Sequence, residues 1–381
     1  MAGATNILRN LKGDRVIWAI MFILALMSIL VVYSATDKLA YLHKGGNTEY
    51  YLLKHSAILL FGFIIAYVAY SLPYQVYMRM APWLILISVP LLIFTMAMGV
   101  DVNSAKRWLS VPGIGLTFQT SDFAKIALVV YVAKVITANQ ETIKDLQKGF
   151  APVIIPVLVI CGLIAPSDLS TAMILFVTAM AMMFVGRVRL SFLVTLMTGG
   201  IILFSFLVTI GNFFPQYVRV GTWIQRVRNF MTGGGDNFQV MQGKMAIANG
   251  QYFGVGPGNS IQRNFLPSSY ADFIYAIIGE EYGLVGASFI LLIYVVLMFR
   301  IARLVTKSPK AFGSILAVGL GFMIVLQAMA NMAVSVNLLP VTGLPLPLVS
   351  MGGSSVLVTA TAFGMILSVS RYIEGLSSNE A

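Results

Sequence analysis

The sequence predicts an all-α integral membrane protein with ten transmembrane helices. Of its 381 residues, 58% are hydrophobic and only 10% are charged, whereas a soluble domain carries about 25% charged residues. The apolar residues are gathered in runs close to the roughly 20 residues that one helical crossing needs. Lys and Arg are concentrated in alternate connections between these runs. This pattern excludes a soluble enzyme, a disordered chain and a fibrous repeat.

Ten apolar runs are candidate transmembrane helices, and together they predict one polytopic domain over residues 1–381. The run that begins at Gly149 is the least regular because Pro152 and Pro156 interrupt it, but membrane helices tolerate proline when neighbours satisfy the freed backbone groups. The first run is longer than the apolar core of a signal peptide, so we expect an uncleaved anchor. The runs are Val16–Ser34, His55–Leu72, Met80–Met98, Phe123–Ile136, Gly149–Ala165, Leu169–Val185, Leu190–Ile210, Phe273–Phe299, Phe312–Val336 and Ser354–Val369.

The distribution of basic residues predicts that both termini are cytoplasmic. In that orientation 14 Lys and Arg lie on the cytoplasmic side and four lie in short outside loops, which is the asymmetry of the positive-inside rule. Residues 211–271 then form one large extracytoplasmic loop between the seventh and eighth helices. The net charge of +11 is to be read by location, because membrane proteins place basic residues unevenly, and we expect no nucleic-acid partner.

Cysteine and histidine are too rare for the common metal centres. The single cysteine, Cys161, lies in an apolar run, and the two histidines, His43 and His55, lie near the start of the chain. A disulfide framework and a cysteine-based zinc site are therefore excluded. A haem or a multi-histidine metal site is not expected, and we predict no protein metal site.

The outside loop Gly211–Ala271 is long enough to expect a function. It carries five basic residues and one acid, and Tyr217–Phe230 mixes aromatic residues with arginines as an interfacial helix does. The run Gly254–Gly258 is glycine-rich but lacks the strand and helix that flank a dinucleotide site. We therefore expect a positively charged outer surface without a nucleotide site.

Two further outside segments differ from ordinary loops. In Asp101–Lys125, the acid Asp122 and the base Lys125 are three residues apart on one helix face and can pair; they form either a cap with an interfacial ion pair or an anion site. The uncharged segment Pro340–Ser355 contains three prolines. Irregular backbone at membrane depth persists only when it is buried in protein or lines a cavity. This segment is therefore either a structural re-entrant turn or part of a functional site.

Acidic residues near membrane depth are the strongest functional candidates, because ionisable groups there are costly. Asp272 is expected to begin the eighth helix at its outer end, and Glu280 lies about 12 Å further along a helix that rises 1.5 Å per residue. The buried acids could instead hold helices together. The set is Asp122, Asp168, Asp272, Glu280 and Glu281.

Two long motifs resemble the SEDS family of bacterial peptidoglycan glycosyltransferases, which includes FtsW, RodA and SpoVE. Ala271–Gly283 is similar to the family's DFIFAxxGEExG signature, and Gly343–Ser355 to its GLPLPFVSYGGSS signature. Lys106–Trp108 with Phe118–Gln119 resembles its RW and FQ elements, and Val255–Ser260 favours the FtsW branch. The chain departs at Gln119–Asp122, which lacks the family's proline, and at Pro166–Thr171, where an inserted residue weakens the family assignment of Asp168.

The resemblance implies that the chain polymerises lipid II at the extracytoplasmic face of the bacterial inner membrane during septal cell-wall synthesis. It implies Asp272 as the catalytic base and Asp122, Asp168, Glu280 and Glu281 as supporting acids. Class B penicillin-binding protein and divisome partners are also implied. Pyrophosphate chemistry often recruits a divalent cation, although no cofactor is required by the sequence. The implied substrate-binding residues are Arg107, Lys125, Arg226, Gln242, Ser350 and Ser354.

Two other functions stay open from the sequence. A lipid II flippase would need a polar path across the membrane, and the spans are nearly free of charge. A non-catalytic divisome scaffold would not need Asp272.

Overall fold

The computed structural model describes residues 12–102, 105–110, 117–211, 220–232, 238–308 and 310–379. These residues are mostly helical. The helices, in chain order, are α1 Arg15–Ala35, α2 Asp37–Lys44, α3 Thr48–Ser71, α4 Tyr74–Met98, α5 Thr120–Ala138, α6 Ala151–Ile164, α7 Leu169–Val185, α8 Leu190–Gly211, α9 Val220–Thr232, α10 Phe238–Gly250, α11 Ile274–Lys307, α12 Ala311–Ser335 and α13 Gly353–Asn379. A π-helical turn, Leu146–Phe150, leads into α6, and a 3₁₀ turn covers Gln262–Asn264.

The described residues fall into two compact units. Unit 1 contains those of Met1–Val76 and Phe238–Ala381, and unit 2 those of Tyr77–Asn237. Unit 1 therefore joins the first three helices to the last four. The apolar pattern could not show this division, because it marks where helices are and carries no information about which helices pack together.

Every predicted apolar run coincides with a described helix. Seven described spans are long and apolar enough to cross a membrane, including the one from Leu146 to Ile164 that prolines interrupt. The apolar stretches Leu169–Val185 and Leu190–Ile202 are shorter, and α5 carries three charged residues, Asp122, Lys125 and Lys134. The prediction of helices at these places is confirmed.

The segment after α4 corrects the all-α prediction, because it contains a small antiparallel sheet. Its strands are β1 Val100–Val102, β2 Ala105–Ser110 and β3 Thr117–Gln119, with β2 in the middle. Trp108 pairs with Gln119 across the sheet. Lys106–Trp108 and Phe118–Gln119, the two elements of the family motif, therefore lie on neighbouring strands. Strand β3 runs directly into α5.

The segment between α8 and α11 also contains two helices. The amphipathic helix predicted over Tyr217–Phe230 is α9, which spans Val220–Thr232, while Tyr217 lies outside the described residues. The second helix, α10, was not predicted. It packs against α11 in unit 1.

Helix α11 is interrupted at Gly283, whose φ of 66° and ψ of −165° are not helical. Glycine is the residue that adopts a positive φ without steric cost. The amides of Leu284 and Val285 donate to the carbonyls of Gln251 and Tyr252, at 2.8 and 3.1 Å. The chain that follows α10 thus supplies the hydrogen bonds that the interrupted helix lacks.

Small residues bring α3 and α13 into close contact in unit 1. Gly62 and Ala66 lie four residues apart on α3, and Ala360 and Gly364 lie four apart on α13. A Cβ placed on Gly62 would be 3.4 Å from the Cβ of Ala360. This small-xxx-small arrangement lets two membrane helices approach closely enough for backbone contact.

We expect Gly364→Ala to destabilise the protein. A Cβ there would lie 2.8 Å from the Cβ of Ala69 and overlap the backbone of Ala66, and overpacking typically costs about 1–3 kcal/mol. Gly375→Ala is the matched control on the same helix, since a Cβ there meets nothing within 4 Å and alanine is the better helix former. Thermal unfolding in detergent should show a lower midpoint for Gly364→Ala only. Equal midpoints would contradict the packing.

Candidate functional site

Asp272 lies in the turn that precedes α11. The amides of Ala271 and Phe273 both donate to the carbonyl of Ser268, at 3.1 and 3.4 Å. The helix begins at Ile274, two residues later than the sequence predicted. The side chain of Asp272 is partly exposed. Its position beside the positive end of a helix stabilises a carboxylate.

The irregular segment Gly343–Ser350 packs against this turn. A Cβ placed on Gly343, whose φ is +73°, would lie 3.7 Å from Oδ2 of Asp272, so the glycine borders the carboxylate without a side chain of its own. The hydroxyl of Ser350 donates to the carbonyl of Ala271 at 2.6 Å and accepts from the amide of Leu346 at 2.7 Å. Ser350, predicted to bind substrate, thus joins the segment to the backbone before Asp272.

Two amide side chains of α12 complete the support of the turn. Asn331 Nδ2 donates to the carbonyl of Asp272 at 2.8 Å and to that of Leu344 at 2.7 Å. Gln327 Nε2 donates to the carbonyl of Pro345 at 2.9 Å. Both side chains are buried. The position of Asp272 is therefore fixed through its own main chain and through the segment beside it.

Helices α1 and α3 hold the other end of the segment. The hydroxyl of Ser28 donates to the carbonyl of Val349 at 2.7 Å, and His55 Nε2 lies 2.7 Å from the same hydroxyl. Because a serine hydroxyl has one proton, His55 is the donor and carries its proton on Nε2. Tyr294 of α11 donates to the carbonyl of Pro347 at 2.5 Å.

Tyr270 adds a neutral polar group close to Asp272. Burial raises the pKa of the Tyr270 phenol, and the negative charge of Asp272 raises it further. The phenol therefore stays protonated at neutral pH. Its carbonyl accepts from the amide of Met351 at 2.9 Å, which is one more bond between the turn and the irregular segment.

Glu280 has the surroundings of a structural carboxylate. It is fully buried and accepts a hydrogen bond from the hydroxyl of Ser260. The amides of Ile261 and Gln262 donate to it at 3.3 and 3.2 Å, and Asn249 Nδ2 lies at 3.4 Å. Four donors compensate the burial of the charge. Glu280 thereby organises the chain between α10 and the 3₁₀ turn.

Glu281 is buried beside Arg263. The hydroxyl of Ser34 donates to Glu281, and Arg263 donates to the same hydroxyl at 2.9 Å and to Asp37 at 3.2 Å. This network joins the end of α1 and the start of α2 to α11. The two glutamates of the motif thus accept hydrogen bonds from other segments of unit 1.

In unit 2, Arg107 of β2 and Asp168 form an ion pair at 3.2 Å. Asp168 caps α7 by accepting from the amide of Thr171 at 3.1 Å. The side chain of Arg107 is 24% exposed, whereas that of Asp168 is 7% exposed. Arg107 therefore keeps solvent access while its charge is partly balanced by the acid.

Asp122 and Lys125 form the second ion pair of unit 2, at 2.7 Å. The side chains are 4% and 7% exposed, so the pair is buried in the first turn of α5. The predicted pairing is confirmed. The cap position is held by Gln119, whose side chain makes no capping hydrogen bond and instead donates to the hydroxyl of Ser121 at 2.9 Å.

The remaining predicted binding residues lie in different surroundings. Arg226 lies on α9 and is half-buried. Gln242 of α10 has a buried Oε1 with no hydrogen-bond partner among the described residues. Ser354 is buried in the first turn of α13. The positive φ values of Gly254, Gly256 and Gly258 belong to the turns beside Glu280 and Glu281.

Metal ligands are a further kind of site that the side chains could form. No three or more His, Cys, Asp and Glu side chains of the described residues come together as a ligand group.

The residues that sequence reasoning missed are amides and hydroxyls, chiefly Asn331, Gln327 and Ser28. A polar residue inside an apolar span is the signal that could have identified them.

The family model described as "Cell cycle protein", for FtsW, RodA and SpoVE, matches residues 14–375. The chain belongs to the FtsW/RodA/SpoVE family. It is 32% identical over 371 residues to a probable peptidoglycan glycosyltransferase FtsW of Trichlorobacter lovleyi, with 95% of this chain and 94% of that protein covered. It is also 32% identical to the same-named protein of Haemophilus influenzae over 367 residues, covering 95% and 91%.

Solved structures share the fold of this family member. RodA of Thermus thermophilus matches with a TM-score of 0.68 at 22% identity, covering 95% of this chain and 98% of that one. A chain from a structure titled as the coordination of polymerization and crosslinking by a peptidoglycan synthase complex matches with a TM-score of 0.73 at 24% identity, covering 95% and 98%. The fold is therefore RodA-like.

We expect Ser350→Ala to lower stability and to loosen the turn before Asp272. The change leaves the Ala271 carbonyl and the Leu346 amide without their partner, and an unsatisfied buried group costs about 1–3 kcal/mol. Ser355→Ala, the same change five residues on, removes no hydroxyl hydrogen bond of the described structure. Thermal unfolding and hydrogen exchange of residues 268–273 should separate the two variants. Identical exchange would contradict the bracing role.

Proposed function

We propose that this chain is a peptidoglycan glycosyltransferase that polymerises lipid II in septal cell-wall synthesis. The observation that carries the proposal is the Asp272 carboxylate, held by its backbone at the start of α11 and bordered by Gly343. Its relatives named FtsW supply the reaction class. The proposal places the site at the extracytoplasmic face.

Asp272 acts as the general base. It accepts the proton of the acceptor sugar's 4-hydroxyl as that oxygen attacks the anomeric carbon of the donor. The new glycosidic bond forms while the bond to the undecaprenyl pyrophosphate oxygen breaks, and the lipid pyrophosphate leaves with the electron pair. A fixed, partly exposed carboxylate suits this role, since it is accessible to the substrate and needs no reorganisation before proton transfer.

The leaving pyrophosphate requires positive charge. Arg107, Lys125 and Arg226 are proposed to provide it, and Gln242 and Ser354 to contact the substrate. A divalent cation, where one takes part, would be brought by the pyrophosphate, since the protein carboxylates described do not form a ligand group. Asp122, Asp168, Glu280 and Glu281 are proposed to be supporting acids.

The membrane arrangement follows from the same proposal. All ten apolar runs cross the inner membrane, both termini are cytoplasmic and residues 211–271 lie outside. A class B penicillin-binding protein is proposed as partner, because a structural neighbour belongs to a peptidoglycan synthase complex that coordinates polymerization and crosslinking. Other divisome proteins are proposed to bind the assembled pair.

Asp272→Asn should nearly abolish glycan polymer from purified protein and labelled lipid II. The amide keeps the shape but cannot accept the proton, and loss of a general base typically costs about 10²–10⁴-fold in rate. Glu49→Gln, an exposed acid in the first turn of α3, is the control and should retain polymerisation. Near-wild-type polymer from Asp272→Asn would remove this residue from the mechanism.

The same assay separates the alternative functions. A flippase would translocate lipid II in liposomes without polymer, and a scaffold would do neither.

Lys125→Ala should unfold the protein or weaken donor use. Removing the lysine breaks its buried ion pair with Asp122, and breaking a buried pair costs about 3–5 kcal/mol. The double variant Asp122→Leu, Lys125→Met removes both charges and should recover much of the stability. If this variant folds and uses the donor as well as wild type does, Lys125 has a structural role only.

Cysteine accessibility tests the orientation. In a Cys161→Ser background, Lys244→Cys should react with an impermeant thiol reagent in intact cells and Lys307→Cys should not, because the charge asymmetry places them on opposite sides. Equal labelling would refute the proposed topology.

A further inference from the structure

A cationic cavity lies at the end of unit 1 where α1 begins and α11 ends. Its volume is about 850 Å³, and its lining includes Arg303, Lys307, Lys310, Leu304 and Tyr372. The walls come from the start of α1, the end of α11, the start of α12 and the end of α13. These are ends of apolar helices, so the cavity belongs to the membrane–water boundary.

The acids of the cavity balance only part of its positive charge. Asp14 is paired with Arg300 at 2.6 Å, and the Glu374 carboxylate accepts from the amide of Gly13. Arg303, Lys307 and Lys310 make no ion pair with any described carboxylate. Lys310 is held over the ring of Tyr372, 5.6 Å from its centre. With four basic and two acidic side chains, the lining carries a net charge of +2.

The cations continue an exposed apolar stripe on α11. Leu292, Val296 and Phe299 are 58%, 42% and 66% exposed, and Arg303 and Lys307 follow at the same helical spacing and are also exposed. Residues separated by three or four positions share one face of a helix. One face of α11 therefore changes from apolar to cationic at its end. A phospholipid has the same arrangement, an apolar acyl chain followed by a charged phosphate.

We propose that this cavity binds the headgroup of an anionic phospholipid, with one acyl chain along Leu292, Val296 and Phe299. Basic pockets at the cytoplasmic ends of membrane helices suit phosphodiester headgroups. The apolar stripe distinguishes a lipid from a free phosphate, which would need only the cations. The site is separate from Asp272 and does not depend on the proposed glycosyltransferase activity.

The test uses the full chain in nanodiscs of phosphatidylcholine with or without phosphatidylglycerol. Native mass spectrometry should show retained phosphatidylglycerol on wild type. The triple variant Arg303→Gln, Lys307→Gln, Lys310→Gln should bind it at least ~10-fold more weakly, since surface cations attract the anionic headgroup. The matched control is Lys144→Gln, Lys148→Gln, Arg189→Gln, which removes the same three charges from exposed positions of unit 2 and should bind as wild type does.

Three outcomes would overturn the proposal. The first is equal retention by the triple variant and the control, which would indicate unspecific attraction of lipid to positive charge. The second is full competition by soluble glycerol phosphate, which would indicate a free-anion site. The third is preferential binding of an acidic peptide over the lipid. Arg303→Gln alone, checked for an unchanged melting point in phosphatidylcholine, should give an intermediate affinity and guards against loss of fold.

Discussion

The Asp272 site depends on satisfying the backbone hydrogen bonds of an irregular segment in apolar surroundings. The segment Gly343–Ser350 has no regular secondary structure, and each unpaired buried amide or carbonyl would cost several kcal/mol. Side chains from α1, α11 and α12 supply the missing partners, through Ser28, Tyr294, Gln327 and Asn331. Asn331 and Ser350 also form hydrogen bonds with the turn before α11. The interactions that satisfy the backbone of Gly343–Ser350 therefore also hold Asp272 in position.

The hydrogen-bond partners and exposure of each acid distinguish Asp272 from Glu280 and Glu281 more clearly than depth in the membrane does. Glu280 and Glu281 are almost completely buried. Four donors surround Glu280, whereas Glu281 accepts from Ser34 and its Oε2 has no hydrogen-bond partner among the described residues. Asp272 keeps partial exposure, and its support comes through its backbone carbonyl. The Glu280 carboxylate, saturated with protein donors, is poorly available as a base, whereas Asp272 is partly exposed and accessible to a substrate.

The sequence predicted the helices well because burial in lipid requires continuous apolar runs, and this requirement acts on each helix separately. It did not predict the three-stranded sheet, whose strands are too short to show alternation. The acids of the site were identified because charge is conspicuous in an apolar chain. Asn331 and Gln327 were missed because neutral amides occur within apolar helices without altering their periodicity. The packing of Gly62 against Ala360 depends on two helices far apart in sequence and required the structure.

The break in α11 at Gly283 has a mechanical consequence. The amides of Val255 and Gly256 donate to the carbonyls of Glu280 and Glu281, while the amides beyond the break bond back to the end of α10. Main-chain bonds therefore run in both directions between the post-α10 chain and the two halves of the helix. Moving this part of the chain away from α11 would break these main-chain hydrogen bonds on both sides of Gly283. A displacement of α10 is therefore passed through main-chain hydrogen bonds to both halves of α11.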